Sequence, residues 1–247
     1  MNRDIRDVET ENWPELKKHD ELTGLPNHYH FRQILTEAIK EASTAQRKLG
    51  VFLIDIDRFK YINNSFGHAT GDRLLKRIAE KLKGMASSMG AVCARMGGDE
   101  FLMMFPLNHW EEVHIIGEKI IRAFNDAISV KGVHFHITPS IGISLFPDHG
   151  KDAVTLIKHA DVAMYRAKLQ RNHYKIFEPS MNQQVLEQFC LEHNLRKAVN
   201  EKALQLHYQP QINIRNNRCI GVEALLRWHH PTKGWISPAT FIPLAEE

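Results

Sequence analysis

The 247-residue chain is short of the features that sort a protein quickly into a class. It has three cysteines, Cys93, Cys190 and Cys219, an odd number without metal-type spacing. That excludes a disulfide framework and a thiolate zinc site, and reads as reduced thiols in a cytoplasmic protein. No apolar run approaches the ~20 residues that a membrane helix needs. Charged residues, not an apolar core, follow Met1, which argues against a signal peptide. The net charge of +3 with His neutral is too weak to argue for nucleic acid. No G-x-x-x-x-G-K-[ST] stretch exists, so phosphates, if bound, need another cradle. Among the fifteen histidines, the pairs His134/His136 and His229/His230 lack other ligands nearby, which favours packing or surface roles over a metal.

What is present is ordinary for a soluble globular chain: 43% hydrophobic and 25% charged residues, enough for one large domain or two smaller ones. Residues 1–18 are polar and broken by Pro14, and read as a linker or the tail of a connecting helix. Asp20 to Asn27 is turn-rich, and Phe31, Ile34, Leu35, Ala38, Ile39 and Ala42 then recur at the helical period. Val51 to Ile54 is a buried strand ending in Asp55-Ile56-Asp57. The two acids share a face if the strand continues. A polar, glycine-containing loop is expected from Arg58 to Asp72, before a helix carrying Leu74, Leu75, Ile78 and Leu82. Asp72 is placed to cap that helix. Residues 110–128 read as an amphipathic helix, 135–145 as one half-buried alternating strand, 153–168 as a helix and 174–177 as a last strand. Strands and helices interleave around one sheet, an α/β domain of about 160 residues.

At the centre stands Arg95-Met96-Gly97-Gly98-Asp99-Glu100-Phe101, between two strand-like runs. That pattern predicts a β-hairpin with two carboxylates beside bare backbone at its tip. Adjacent anions in one turn repel unless a cation or hydrogen bonds compensate. Taken alone, such a turn is as readily a solvated acidic tip as a site.

The ordered set of motifs resembles the GGDEF domains, the diguanylate cyclases. It includes Gly97-Gly98-Asp99-Glu100-Phe101, Asp20 to Asn27, Asp55 to Asn63 with Phe66-Gly67-His68 and Gly71-Asp72, and Ala160-Asp161 through Lys168, all in the family's order over roughly 19–178. The resemblance implies an α/β (α+β) fold with a mostly antiparallel central sheet flanked by helices, like a nucleotide-cyclase palm. It implies joining of two GTP molecules into cyclic di-GMP with release of pyrophosphate. It carries over a Mg²⁺ (or Mn²⁺) held by Asp55, the Ile56 carbonyl and Asp99, with Asp99 as proton acceptor and Glu100 in support. Lys60 would stabilise phosphate charge. Asn63, His68 and Asp72 would contact substrate, with guanine read by Asn63 and Asp72, beside Gly97 and Gly98. Lys168 and Arg171 resemble the pair gripping the terminal phosphates. Here the chain departs from the pattern: the glycine before the arginine is absent and the spacing is one shorter. The inhibitory Arg-x-x-Asp is replaced by Ser88 and Ala91, so product inhibition through it is expected to be absent.

Residues 181–202 read as a connecting helix, and 203–247 begin a new pattern. Tyr208-Gln209-Pro210, Glu223-Ala224-Leu225 and Phe241-Ile242-Pro243 resemble the opening of an EAL domain, a TIM-like barrel that hydrolyses cyclic di-GMP. Gln209, Glu223 and Arg227 match its substrate and metal positions. The other carboxylates and the lysine of that family are not in this chain, so it is not expected to hydrolyse cyclic di-GMP. The resemblance further implies a homodimer, at least transient, and a sensor upstream in the parent protein. The alternative reading is a silent GTP-binding regulator of an attached phosphodiesterase.

Overall fold

A computed structural model describes residues 18–246. Of the linker expected at 1–18, residues 1–17 lie outside them. The chain divides into two compact units between Met181 and Asn182.

The first unit is built on β1 (Lys48–Ile56), the middle strand of a five-stranded sheet ordered β2-β3-β1-β6-β7. Its neighbours are β3 (Glu100–Leu107) and β6 (Pro139–Phe146), both antiparallel to it. Edge strand β2 (Val92–Gly97) pairs with β3, and β7 (His173–Ile176) runs parallel to β6. Side chains alternate across a strand, so β1 feeds two cores. Phe52, Ile54 and Ile56 enter one, with helices α2 (Phe59–Phe66), α3 (His68–Ser88) and α4 (Glu112–Ala123). Leu49, Val51 and Leu53 enter the other, with α1 (His28–Ala45) and α5 (Ala153–Lys168). Each fully buried Leu, Ile or Phe contributes ~1.5–3 kcal/mol, so this doubly covered strand anchors the unit. Helix starts follow their caps. Asn27 accepts from His30 N at 3.0 Å, and Asp152 accepts from Thr155 N at 2.9 Å.

Four sequence expectations are corrected here. The polar loop after Asp57 is helical: α2 and α3 occupy it, joined at Gly67. Hydrophobic Phe59, Ile62 and Leu74 on one side win over the loop-like composition. Asp72 therefore lies inside α3 and does not cap it; Gly67 holds the cap position. The helix expected over 110–128 is Glu112–Ala123, and Ile128 already belongs to β4 (Ile128–Val130). The single strand expected over 135–145 is two, β5 (Val133–Phe135) and β6, and β6 is buried on both faces. Its polar-looking face carries Ser140, Gly142 and Ser144 because α5 packs on it closely. A Cβ on Gly142 would collide with the backbone of Ala160 and Met164, and Ser144 Oγ donates to Leu156 O at 2.7 Å.

The second unit contains most of α6 (Ser180–Asn200), the antiparallel sheet β10-β9-β8 and α7 (Pro238–Glu246). Its strands are β8 (Leu204–Asn213), β9 (Arg218–His230) and β10 (Gly234–Ile236). Leu191, Leu195, Ala198, Trp228 and Phe241 form a small core. Leu206, Tyr208, Ile212, Ile220, Val222 and Trp235 stay exposed, and no barrel is closed among the described residues.

Candidate functional site

Strand parity decides what the β1 terminus presents. Asp55 continues the series Leu49, Val51, Leu53 and so faces the α5 side of the sheet. On β3 the residues Leu102 and Met104 face that side, which sets Glu100 there too, directly across from Asp55 in the register. The turn between β2 and β3 carries Gly97 and Gly98. Gly98 has φ +52°, a conformation costing an L-residue ~1–2 kcal/mol. It places Asp99 beside the β1 end, where Asp99 O accepts from Ile56 N at 3.3 Å. From α5, Lys168 Nζ reaches Asp55 Oδ2 at 2.8 Å.

Charge is concentrated at this spot. Burial, with Asp99 and Glu100 adding to it, pushes the Asp55 carboxyl up to about 6 against the opposing pull of Lys168. Burial and the charge of Asp161 likewise raise Glu100. Burial raises Asp161 against the pull of Lys168. Burial works against the Lys168 ammonium, but Asp55, Asp99 and Glu100 outweigh it and hold its pKa up. Four carboxylates share one ammonium, so the spot has unused capacity for a further cation. The donors are oxygens, the set that Mg²⁺ prefers. Lys168 shows that Asp55 accepts a cation. The chemistry of this donor set, carboxylates beside backbone carbonyls, suits such an ion, which keeps water and substrate oxygens as well. No cage of three or more His, Cys, Asp or Glu side chains occurs among the described residues.

The remaining expected positions are distributed as follows. Lys60 is exposed in the first turn of α2, and His68 and Asp72 are exposed on the first two turns of α3. Asn63 is half-buried in α2, against Gly71, the neighbour of Asp72. Lys168 and Arg171 do not act on one group here. Lys168 holds Asp55, whereas Arg171 lines a separate pocket of about 450 Å³ with Asp57, Arg58, Tyr61, Phe66 and His134. In the turn that lacks the family's glycine, Arg171 and Asn172 both adopt positive φ, +52° and +43°. Ser88 ends α3, its hydroxyl donating to Met85 O at 2.8 Å, and Ala91 is half-buried. In the second unit Gln209 pairs with Glu223 across β8 and β9. By parity Arg227 falls on the same face.

Three further residues were named from sequence only within motifs, with no role of their own. Arg95 is buried. Its Nη1 donates to Asp20 Oδ1 at 2.9 Å and Oδ2 at 3.0 Å, and its Nε donates to Gly98 O at 3.2 Å. It thus ties the turn at Asp20 to the hairpin tip. The bonds from Thr23 and Arg95 hold Asp20 below the usual carboxylate range despite burial. A charged residue inside an apolar strand was the available signal. Asp161 is the third, seven residues before Lys168 on the same helix and close enough to act on Glu100.

Comparison with known proteins identifies the family. The family model "Diguanylate cyclase, GGDEF domain" matches residues 17–173, and the model "EAL domain" matches 192–247. The chain belongs to the GGDEF family and continues into the start of an EAL domain, which places it in cyclic di-GMP signalling. It is 40% identical to the bifunctional diguanylate cyclase/cyclic di-GMP phosphodiesterase MucR of Pseudomonas aeruginosa over 94% of this chain and 34% of that protein. It is 37% identical to the cyclic di-GMP phosphodiesterase PdeR of Escherichia coli, over 92% of this chain and 34% of that one. The chain thus spans about a third of the length of these relatives. The solved structure of a truncated TpbB (YfiN) from P. aeruginosa comprising only the GGDEF domain is 36% identical, with a TM-score of 0.65, covering 68% of this chain and 99% of that one. The coiled coil and GGDEF domain of DgcB from Caulobacter crescentus, solved with cyclic di-GMP, is 26% identical, with a TM-score of 0.61, covering 68% and 90%.

Proposed function

We propose that the first unit is a diguanylate cyclase, condensing two GTP into cyclic di-GMP and pyrophosphate within a GGDEF–EAL protein. We place the cyclase domain at 19–180, the connecting helix at 181–202 and the EAL portion at 203–247. The observation that carries the reading is the convergence of Asp55, Asp99 and Glu100 at one sheet end, with more negative charge than Lys168 alone balances. Asp55, Asp99 and the Ile56 carbonyl would hold a divalent ion. When bound, that ion supplies charge neutralisation for the triphosphate. Asp99 accepts the proton of the attacking 3′-hydroxyl. Lys60 stabilises negative charge on the phosphates. Asn63 and Asp72 read the guanine edge, whose N1–H and 2-amino donors suit a carboxylate. His68, Gly97 and Gly98 border the substrate. Each active site needs two nucleotides, so two copies face each other.

A second reading has its own support. Lys168 is engaged with Asp55, and Arg171 lines another pocket. One relative above is named a phosphodiesterase only. A regulator that binds GTP without chemistry fits those facts. Incubation of the purified chain with GTP and Mg²⁺ or Mn²⁺ separates the two. Cyclic di-GMP formation that disappears in Asp99→Ala supports the cyclase; GTP binding without product supports the regulator.

A further inference from the structure

The side chain of Asn63 carries a buried Oδ1 that no protein group satisfies. Such an atom is costly, so its orientation is imposed by what the side chain packs against. What it rests against is Gly71, on the following helix. A Cβ at Gly71 would collide with Asn63 Oδ1 and lie 3.1 Å from both Asn63 Cγ and Phe59 Cζ. Phe59 is buried and anchors α2, so it cannot yield easily. The helix backbone at Gly71 is therefore a notch into which the carboxamide is set by contact rather than by a hydrogen bond to that oxygen. Gly84 provides the contrast. It lies on the same helix, and a Cβ there meets nothing within 4 Å.

We propose that Gly71 is a specificity-determining residue: its missing side chain fixes the plane of the Asn63 carboxamide, and so the match to guanine. The inference rests on the reading of the first unit as a GTP site. Gly71 touches no substrate and acts through Asn63, as a positioning residue.

The test measures binding of GTP and of ITP, which lacks the 2-amino group, to the full chain by calorimetry. The variants are Gly71→Ala, Gly84→Ala, Asn63→Ala and the double variant Gly71→Ala/Asn63→Ala. The expected result is that Gly71→Ala weakens GTP binding about tenfold or more and brings the GTP-to-ITP ratio toward one, the scale of a lost base-reading hydrogen bond. Gly84→Ala changes neither, and Gly71→Ala has no further effect once Asn63 is Ala. An unchanged GTP-to-ITP ratio in Gly71→Ala, or an equal loss in the Asn63→Ala background, overturns the proposal. Should Gly71→Ala fail to fold, Gly71→Ala/Asn63→Ala should be the more stable of the two, because the collision with Asn63 Oδ1 is gone and only the 3.1 Å approach to Phe59 Cζ remains; a double variant no more stable than Gly71→Ala also overturns it. If the wild-type chain binds neither nucleotide, the GTP reading itself falls. If it prefers GTP and the variants behave otherwise than expected, only the role of Gly71 falls.

Discussion

Asp55 and Asp57 leave the same strand end two residues apart, and both are buried. Their surroundings differ. Asp57 accepts from Thr138 Oγ1 at 2.6 Å, Ser140 Oγ at 2.6 Å and Asn172 N at 3.0 Å, while its own N–H donates to Thr138 O at 2.9 Å. Those bonds tie the ends of β1 and β6 to the turn before β7, which is structural work. Asp55 has one ammonium and is crowded by Asp99 and Glu100. A buried acid whose acceptor sites are filled by neutral donors holds the fold; one facing other acids is kept ready for something brought in from outside.

The sharpest way to break this contrast is kinetic. Asp99→Ala and Asp55→Ala should each lower cyclic di-GMP formation at least about 100-fold, the scale of losing a proton acceptor or an ion ligand. Asp57→Asn should keep measurable turnover. Equal losses in a turnover assay would erase the distinction. Thermal melts reverse the order. Asp57→Ala strands three donors and should cost about 2–4 kcal/mol, lowering Tm by several degrees, whereas Asp55→Asn in EDTA should not destabilise the chain at neutral pH.

The acidity of the two sites sharpens it further. Asp55 holds its proton more tightly in the folded chain, about 6 against 3.8. Its contribution to stability is therefore present below pH 3.8 and lost as pH rises through about 6. Glu100 and Asp161 shift in the same direction. Without divalent ions, Tm should fall as pH rises from about 3.8 through about 6, and this slope should shrink in Asp55→Asn. A slope unchanged by that substitution would remove Asp55 as its source.

The smallest expected effect lies in the turn that Asp57 anchors. Arg171 sits at positive φ, so Arg171→Gly should stabilise by up to about 1 kcal/mol. A rise in KM for GTP alongside would show that Arg171 also reaches phosphate.

Much of this was legible in the chain itself. The apolar run Val51 to Ile54 announces a buried strand, and Gly97-Gly98 announces a hairpin, because apolar runs and turn chemistry are local properties. The helix 153–168 begins and ends as its pattern says. The stretch after Asp57 misled because its polar residues and glycines resemble a loop, while its helices are held by distant apolar partners across the first core. The face of β6 that carries Ser140, Gly142 and Ser144 looked solvent-exposed for the mirror reason: small residues can mark either water or a helix pressed close.

Local sequence alone thus determined which acids exist, where the strand ends and which turn follows. It could not say which acid is filled and which is open. That difference depends on Thr138, Ser140, Asn172 and Lys168, all more than 80 positions away from their partners Asp57 and Asp55. Hydrogen bonds and charges act through space, so only the packed sheet and the helix laid across it decided the matter.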